Sequence, residues 1–280
     1  MNGRFRNTML VLGLGFLYIP ILSMVVFSFN NSRLVTVWDA ANSPTLKWYA
    51  ALLDNAQILG AARLSIEIAA ATATGAVVLG TLAGLALARF GPFRGRAFLS
   101  AMTTAPLVMP EVITGLSILL LFVALEQAIG WPDGRGFLTI TLAHITFCLA
   151  YVTVVVQSRL AGFDDSLEEA ALDLGARPAT VFWRITLPLI LPAIVSGWLL
   201  AFTLSWDDVV ISQFVAGPSA STLPMVVFSK VRLGVSPDIN ALASLMVLIV
   251  AVCVVCSTLW MRRRERQRQR EEQMARAAGG

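Results

Sequence analysis

Six stretches of the chain are apolar enough and long enough to cross a hydrocarbon layer of about 30 Å as helices rising about 1.5 Å per residue. They lie at 8–29, 62–88, 97–125, 137–158, 188–215 and 239–261. The pattern predicts an all-α, polytopic membrane protein with six transmembrane helices in one domain, 1–280. Proline interrupts two of the stretches. Pro106 and Pro110 are expected to break the third, and Pro188 and Pro192 mark the start of the fifth. A proline removes one backbone donor and frees a carbonyl, which a membrane tolerates only where neighbouring helices or a water-lined cavity satisfy the carbonyl. These two spans are therefore predicted to be central rather than lipid-facing.

The polar segment 159–187 separates the fourth and fifth spans. Ser166-Leu167-Glu168-Glu169 fits the S-x-x-E capping box that starts a helix, and Asp164 and Asp165 put negative charge at its positive end. The helix is expected to reach Leu174 and to stop at Gly175, which tolerates the left-handed conformation. A second short helix should start at Pro178, a favoured first-turn position, and carry Val181, Phe182 and Trp183. Leu187-Pro188 is expected to turn the chain back into the membrane. The product is a rigid helix–turn–helix with a small-residue face (Ala170, Ala171) and aromatic knobs, able to seat in a groove and transmit force.

Composition narrows the class. The chain is 57% hydrophobic and 14% charged, with a mean hydropathy of +0.75, against about 25% charged residues in soluble domains. One water-soluble core cannot hide that much apolar surface. The net charge of +4 and basic pI do not indicate nucleic acid, because the basic residues flank the apolar stretches. With both termini inside, fifteen of the 21 Lys and Arg residues fall on the cytoplasmic side, seven of them in the tail 262–280. That bias predicts cytoplasmic N- and C-termini. The first apolar run is longer than a signal-peptide core and is read as an uncleaved helix. Outside, residues 46–53 have apolar positions at helical spacing with Trp48 and Tyr49, and should lie along the membrane surface. Gly80 and Gly84 form a G-x-x-x-G on a small-residue face suited to close helix packing, within the chain or against a partner. Cys253 and Cys256 match C-x-x-C, but no metal or redox signal accompanies them. They are read as packed apolar residues, and no metal site is expected.

Glu169-Ala170-Ala171, then Gly175, then Ile185-x-Leu187-Pro188 resembles the ATPase-coupling loop of bacterial ABC-importer permeases. Beyond it, Ala105-Pro106-Leu107-Val108-Met109-Pro110-Glu111-Val112-Ile113-Thr114-Gly115, Leu204-Ser205-Trp206-Asp207-Asp208 and the segment from Gly234 to Ala241 resemble the spermidine/putrescine importer permeases of the PotC/PotI type, over nearly the whole chain. The resemblance implies a type I ABC importer fold (MetI-like) and transport by alternating access. It implies a sister permease, two ATPase subunits and a periplasmic polyamine-binding protein as partners, in a bacterial inner membrane and its lipid. No G-x-x-x-x-G-K-[ST] occurs, and the lysines are only Lys47 and Lys230. The chain is therefore expected to hold no ATP and to be no enzyme, with ATP and Mg on the partner ATPase.

Ionisable groups inside membrane spans are functional candidates, because burying their charge in lipid is costly. Glu67, Glu111, Asp207 and Asp208 are the intramembrane acids. Carboxylates with aromatics beside them, Trp206 or Phe202, suit a polyamine's ammonium groups by charge pairing and cation–π contact. Other roles stay open: Glu111 pairing with Arg63 or capping the helix after Pro110, and either aspartate pairing with the partner chain. Adjacent residues on a helix point about 100° apart, so at most one aspartate should face the path squarely. His144 is expected to be packed and hydrogen-bonded. The alternatives are another cation or small organic solute carried by the same architecture, or an ion-coupled secondary transporter, which the coupling loop disfavours.

Overall fold

The computed structural model describes residues 3–34, 37–162, 164, 166–218, 220–234, 236–252, 255 and 259. Cys253, Cys256, Asp165 and the tail 262–280 lie outside the described residues. Among those described, the secondary structure is helical: α1 (Gly3–Phe27), α2 (Lys47–Leu53), α3 (Ala56–Arg89), α4 (Arg96–Val108), α5 (Glu111–Ile129) and α6 (Phe137–Ala161). These are followed by α7 (Ser166–Asp173), α8 (Pro178–Val181), α9 (Leu187–Trp206), α10 (Val210–Val215) and α11 (Leu223–Leu233). The segment Pro237–Val252 forms an apolar α12. Five helical stretches are long and apolar enough to span a membrane: residues 4–27, α3, α5, α6 and the continuous run Pro178–Trp206. The sixth expected span, 239–261, is represented by α12, beyond which most residues are not described.

The chain divides into two compact units, 1–56 with 230–280, and 57–229. In the first, the outer loop after α1 is organised around buried Asn30. Its Nδ2 donates to Val37 O (2.7 Å), and its Oδ1 accepts from Asp39 N (3.0 Å) and the Ser43 hydroxyl (3.2 Å). Trp48 Nε1 donates to Asn30 O at 2.7 Å and fixes α2. The Asp39 carboxylate accepts from Asn31 and Asn42, which holds it below the usual carboxylate range. Helix α1 exposes Phe16, Leu17, Ile19 and Leu22, as a helix long and apolar enough to span a membrane does.

In the second unit α6 is the most buried span, with Ile140, Ala143, Cys148, Val152 and Val156 fully enclosed. Glycines let α3 and α9 close on it. A Cβ on Gly80 would stand 2.8 Å from Val152 Cβ, one on Gly84 would stand 3.0 Å from Val156 Cγ1, and one on Gly197 would stand 3.3 Å from Val152 Cγ1. The small-residue face of α3 therefore packs within the chain. Gly115 lets α5 approach α10 in the same way, since a Cβ there would lie 2.7 Å from the Phe214 ring.

Three expectations about prolines and caps are corrected. Pro106 does not break its helix, because α4 continues through it to Val108. The break is at Met109, extended at φ −80°, ψ 136°, where Pro110 forces the preceding residue out of the helical region. Leu187-Pro188 makes no turn, and α8 runs straight into α9 through a wide turn, Phe182–Thr186, in which Leu187 N–H reaches Phe182 O five residues back. That widening relieves the clash of the Pro188 ring with the carbonyl four residues earlier and absorbs its missing donor. Ser166 begins α7 rather than capping it, and its N–H bonds to Asp164 Oδ1 at 3.0 Å, which holds the Asp164 carboxyl below its ordinary range.

Candidate functional site

The intramembrane acids all belong to the 57–229 unit, and the structure separates them by environment. Glu67 is on the exposed side of α3, where its Oε1 accepts from Arg63 Nε at 2.7 Å. Arg63, one possible partner for Glu111, is thus paired with Glu67. Glu111 is exposed in the first turn of α5, where the helix N-terminus favours a negative charge.

Asp207 and Asp208 follow the last turn of α9. The Asp207 N–H closes the helix on Thr203 O, and the residue is exposed. The Asp208 side chain is 6% exposed and turned inward. Its Oδ2 lies 3.1 Å from His144 Nε2 and accepts the Ser212 N–H at 2.7 Å, while Oδ1 accepts the Ile211 N–H at 3.2 Å. On the other side of the ring, His144 Nδ1 lies 2.7 Å from the Ser205 hydroxyl. A carboxylate accepts only, so Nε2 carries the hydrogen, and in the neutral ring Nδ1 accepts a hydrogen bond from the Ser205 hydroxyl. This buried cluster ties α6, α9 and α10 together at the point where α9 ends, and His144 is packed and hydrogen-bonded within it.

Trp206 sits at the end of an aromatic ladder on α9. Its ring stacks on Phe202 (centroids 6.2 Å apart, 11° between planes), and Phe202 stacks on Trp198 (5.3 Å, 18°). Spacing of four places the three rings on one helix flank over about 12 Å of axis. Trp198 Nε1 donates to Thr74 Oγ1 of α3 at 3.2 Å, anchoring the inner rung. The ladder ends where Asp207 is exposed. Trp198 was not singled out from the sequence, although the regular spacing 198, 202, 206 was the available signal for it. Among the described residues, no three His, Cys, Asp or Glu side chains are grouped to hold a metal ion.

The loop 159–187 has a definite shape. Glu169 and Ala170 are exposed on α7, and Ala171 is half-buried. Gly175 adopts φ +82°, with its N–H on Leu172 O (2.9 Å) and the Ala176 N–H on Ala171 O (3.0 Å). That pair of bonds is the Schellman closure of a helix C-terminus. Ile185 and Leu187 are half-buried and Pro188 is exposed at the start of α9. The structure brings together Trp206, Asp207 and Asp208 at one end of α9, and the 169–188 set around its other end.

Comparison with known proteins agrees with this architecture. The family described as binding-protein-dependent transport system inner membrane component matches residues 76–270. The chain is 57% identical to the putrescine transport system permease protein PotI of Escherichia coli (strain K12) over 272 residues, covering 97% of this chain and 96% of that protein. It is 44% identical to the spermidine/putrescine transport system permease protein PotC of the same organism over 247 residues, covering 88% and 90%. Among solved structures, a chain of a bacterial ABC transporter involved in the import of the acidic polysaccharide alginate superposes with a TM-score of 0.69 at 17% identity, covering 92% of this chain and 94% of that one. A chain of the MetNI methionine ABC transporter, in an inward-facing conformation, gives 0.56 at 16% identity, covering 72% and 92%. At such identities the likeness speaks for the fold alone. By sequence match over most of its length, this chain belongs to the family of binding-protein-dependent transport system inner membrane components.

Proposed function

We propose that this chain is the permease subunit of an ATP-driven importer that moves a polyamine, putrescine or spermidine, across the inner membrane by alternating access. The observation that carries the substrate class is the 57% identity, over nearly the whole chain, to a putrescine permease. The chemistry of the α9 end supports it. A polyamine is a flexible chain with an ammonium at each end. The exposed Asp207 carboxylate pairs with one ammonium as it sheds water, and the Trp206, Phe202 and Trp198 rings stabilise cationic and methylene portions by cation–π and apolar contact. Glu111, exposed in the first turn of α5, offers a second carboxylate for the other ammonium. Asp208 is assigned a positioning role: its bonds to His144, Ser212 and Ile211 hold the end of α9 so that Asp207 faces outward. Glu67, already paired with Arg63, is peripheral.

In this reading the segment 159–187 receives the stroke of an ATPase subunit. Glu169, Ala170 and Ala171 form the seat, and Gly175 sets the angle between α7 and α8. Ile185, Leu187 and Pro188 carry the movement into α9, which α8 joins without a break. The ATP and Mg belong to the partner ATPase pair. A sister permease and a periplasmic polyamine-binding protein complete the importer, with both termini of this chain cytoplasmic, as the Lys and Arg distribution supports.

The test is uptake of labelled putrescine and spermidine, side by side, in a host lacking polyamine transport and supplied with this chain and its partner subunits. Uptake that disappears with Glu169→Lys, while the chain still reaches the membrane, supports the reading and names the preferred amine. Assembly without uptake of either amine overturns the substrate assignment.

A further inference from the structure

Glu168 and Glu169 are neighbours in α7 with opposite surroundings. Glu169 is exposed, whereas the Glu168 side chain is 21% exposed and directed to its own chain. Its Oε1 accepts the Thr186 hydroxyl at 2.6 Å and lies 3.7 Å from Arg89 Nη2. Arg89 is the last residue of α3, and Thr186 is the buried last residue of the wide turn that leads into α9. One carboxylate thus joins three elements. Beside it is a cavity of about 530 Å³ lined by Leu82, Leu85 and Phe90 from α3 and its end, Leu172 from α7, and Val181 and Phe182 from the α8 side. Leu82, Phe90 and Leu172 are exposed, so the cavity opens at the surface and apolar packing there does not lock α7 in place. A hydrogen bond with an ionised acceptor is both stronger and more directional than such loose packing.

We infer that Glu168 is a positioning residue that pins α7 to the ends of α3 and α9, so that a displacement of α7 moves both spans. The inference rests on the reading of 159–187 as the ATPase-coupling segment and adds an internal transmission point to it. Glu169 faces the partner and Glu168 faces the chain's own spans. The open cavity gives α7 room to tilt, and the carboxylate keeps it attached while it does so.

The assembled importer in proteoliposomes provides the test, with labelled putrescine uptake and ATP hydrolysis measured on the same preparation. Thr186→Val removes the hydroxyl at nearly constant shape, Thr186→Ser keeps it, and Glu168→Gln removes the charge. The expected result is a fall of about tenfold in putrescine moved per ATP for Thr186→Val and Glu168→Gln, with Thr186→Ser near wild type. An unchanged ratio in Thr186→Val and Glu168→Gln, whether both activities persist or both fall together, overturns the inference, as does an equal loss in Thr186→Ser. Glu169→Lys separates the two levels. If it abolishes uptake while the Glu168 and Thr186 variants keep the wild-type ratio, only the pin is refuted. If it leaves uptake intact, the coupling reading falls as well.

Discussion

Asp208 Oδ2 lies 3.1 Å from His144 Nε2, with both side chains nearly enclosed, although the two residues are 64 positions apart. The bond crosses from the end of α9 to the middle of α6 and commits Asp208 to the interior. Its neighbour Asp207 is left exposed. Removing the carboxylate leaves the His144 Nε2–H and the Ile211 and Ser212 N–H groups without their acceptor, at a cost of about 1–3 kcal/mol per buried donor. Asp208→Ala is therefore expected to lower the thermal unfolding temperature of the detergent-solubilised chain and its yield in the membrane, whereas Asp207→Ala leaves both unchanged. Thermal unfolding followed by intrinsic fluorescence checks this.

The packing of α3 and α9 on α6 predicts a compensating pair. Gly80→Ala places a methyl 2.8 Å from Val152 Cβ, an atom fixed to the α6 backbone, so the helices must separate at a cost of about 1–3 kcal/mol. Val152→Ala alone leaves a cavity. Gly80→Ala with Val152→Ala is expected to be more stable than the sum of the single changes allows, and a double-mutant cycle on thermal stability measures that coupling.

Gly175 has open space around its missing Cβ, so the cost of Gly175→Ala is that of holding an L-residue at φ +82°, about 1–2 kcal/mol. The expected outcome is a chain that still folds and reaches the membrane but has reduced uptake, because α7 and α8 no longer meet at the same angle. Gly175→Asn should retain more uptake than Gly175→Ala, since Asn tolerates the left-handed region better.

The outer loop carries a pH signature. The bonds from Asn31 and Asn42 hold the Asp39 carboxyl below its ordinary value of 3.8. A depressed carboxyl contributes stability that is present above the unfolded value and lost as pH falls through the folded one. Amide-exchange protection of residues 30–34 and 37–45, corrected for intrinsic rates, is expected to persist as pH falls to 3.8 and to decline below it. In Asn31→Ala the decline should be smaller and complete at a higher pH.

Much of the fold was legible because the bilayer demands it: apolar runs of spanning length, the break before Pro110, and the helix stop at Gly175 each follow from local chemistry. The errors came where a local rule met longer-range geometry. Pro106 looked like a helix breaker, but it removes only its own donor, and α4 continues past it to Val108 before Pro110 ends the helix. Pro188 looked like a turn, but the wide turn at Phe182–Thr186 absorbs it. The candidate site was legible in its residue types and not in their roles. Asp207 and Asp208 are equivalent in the sequence, and only the distant His144, Ser205 and Ser212 distinguish them. Glu168 did not stand out in the sequence, where the capping box gives its role to Glu169, because its partners Arg89 and Thr186 belong to other elements.

The most direct measurement of the central claim, that a cationic substrate passes the exposed acid at the end of the Trp198–Phe202–Trp206 ladder, is the concentration dependence of ATP-driven putrescine uptake by the assembled importer carrying Asp207→Asn. Losing one charge-assisted contact of about 1.5–3 kcal/mol should depress uptake by at least about tenfold at low putrescine, with assembly and thermal stability as in the wild type. Uptake indistinguishable from wild type across the concentration range would contradict the account.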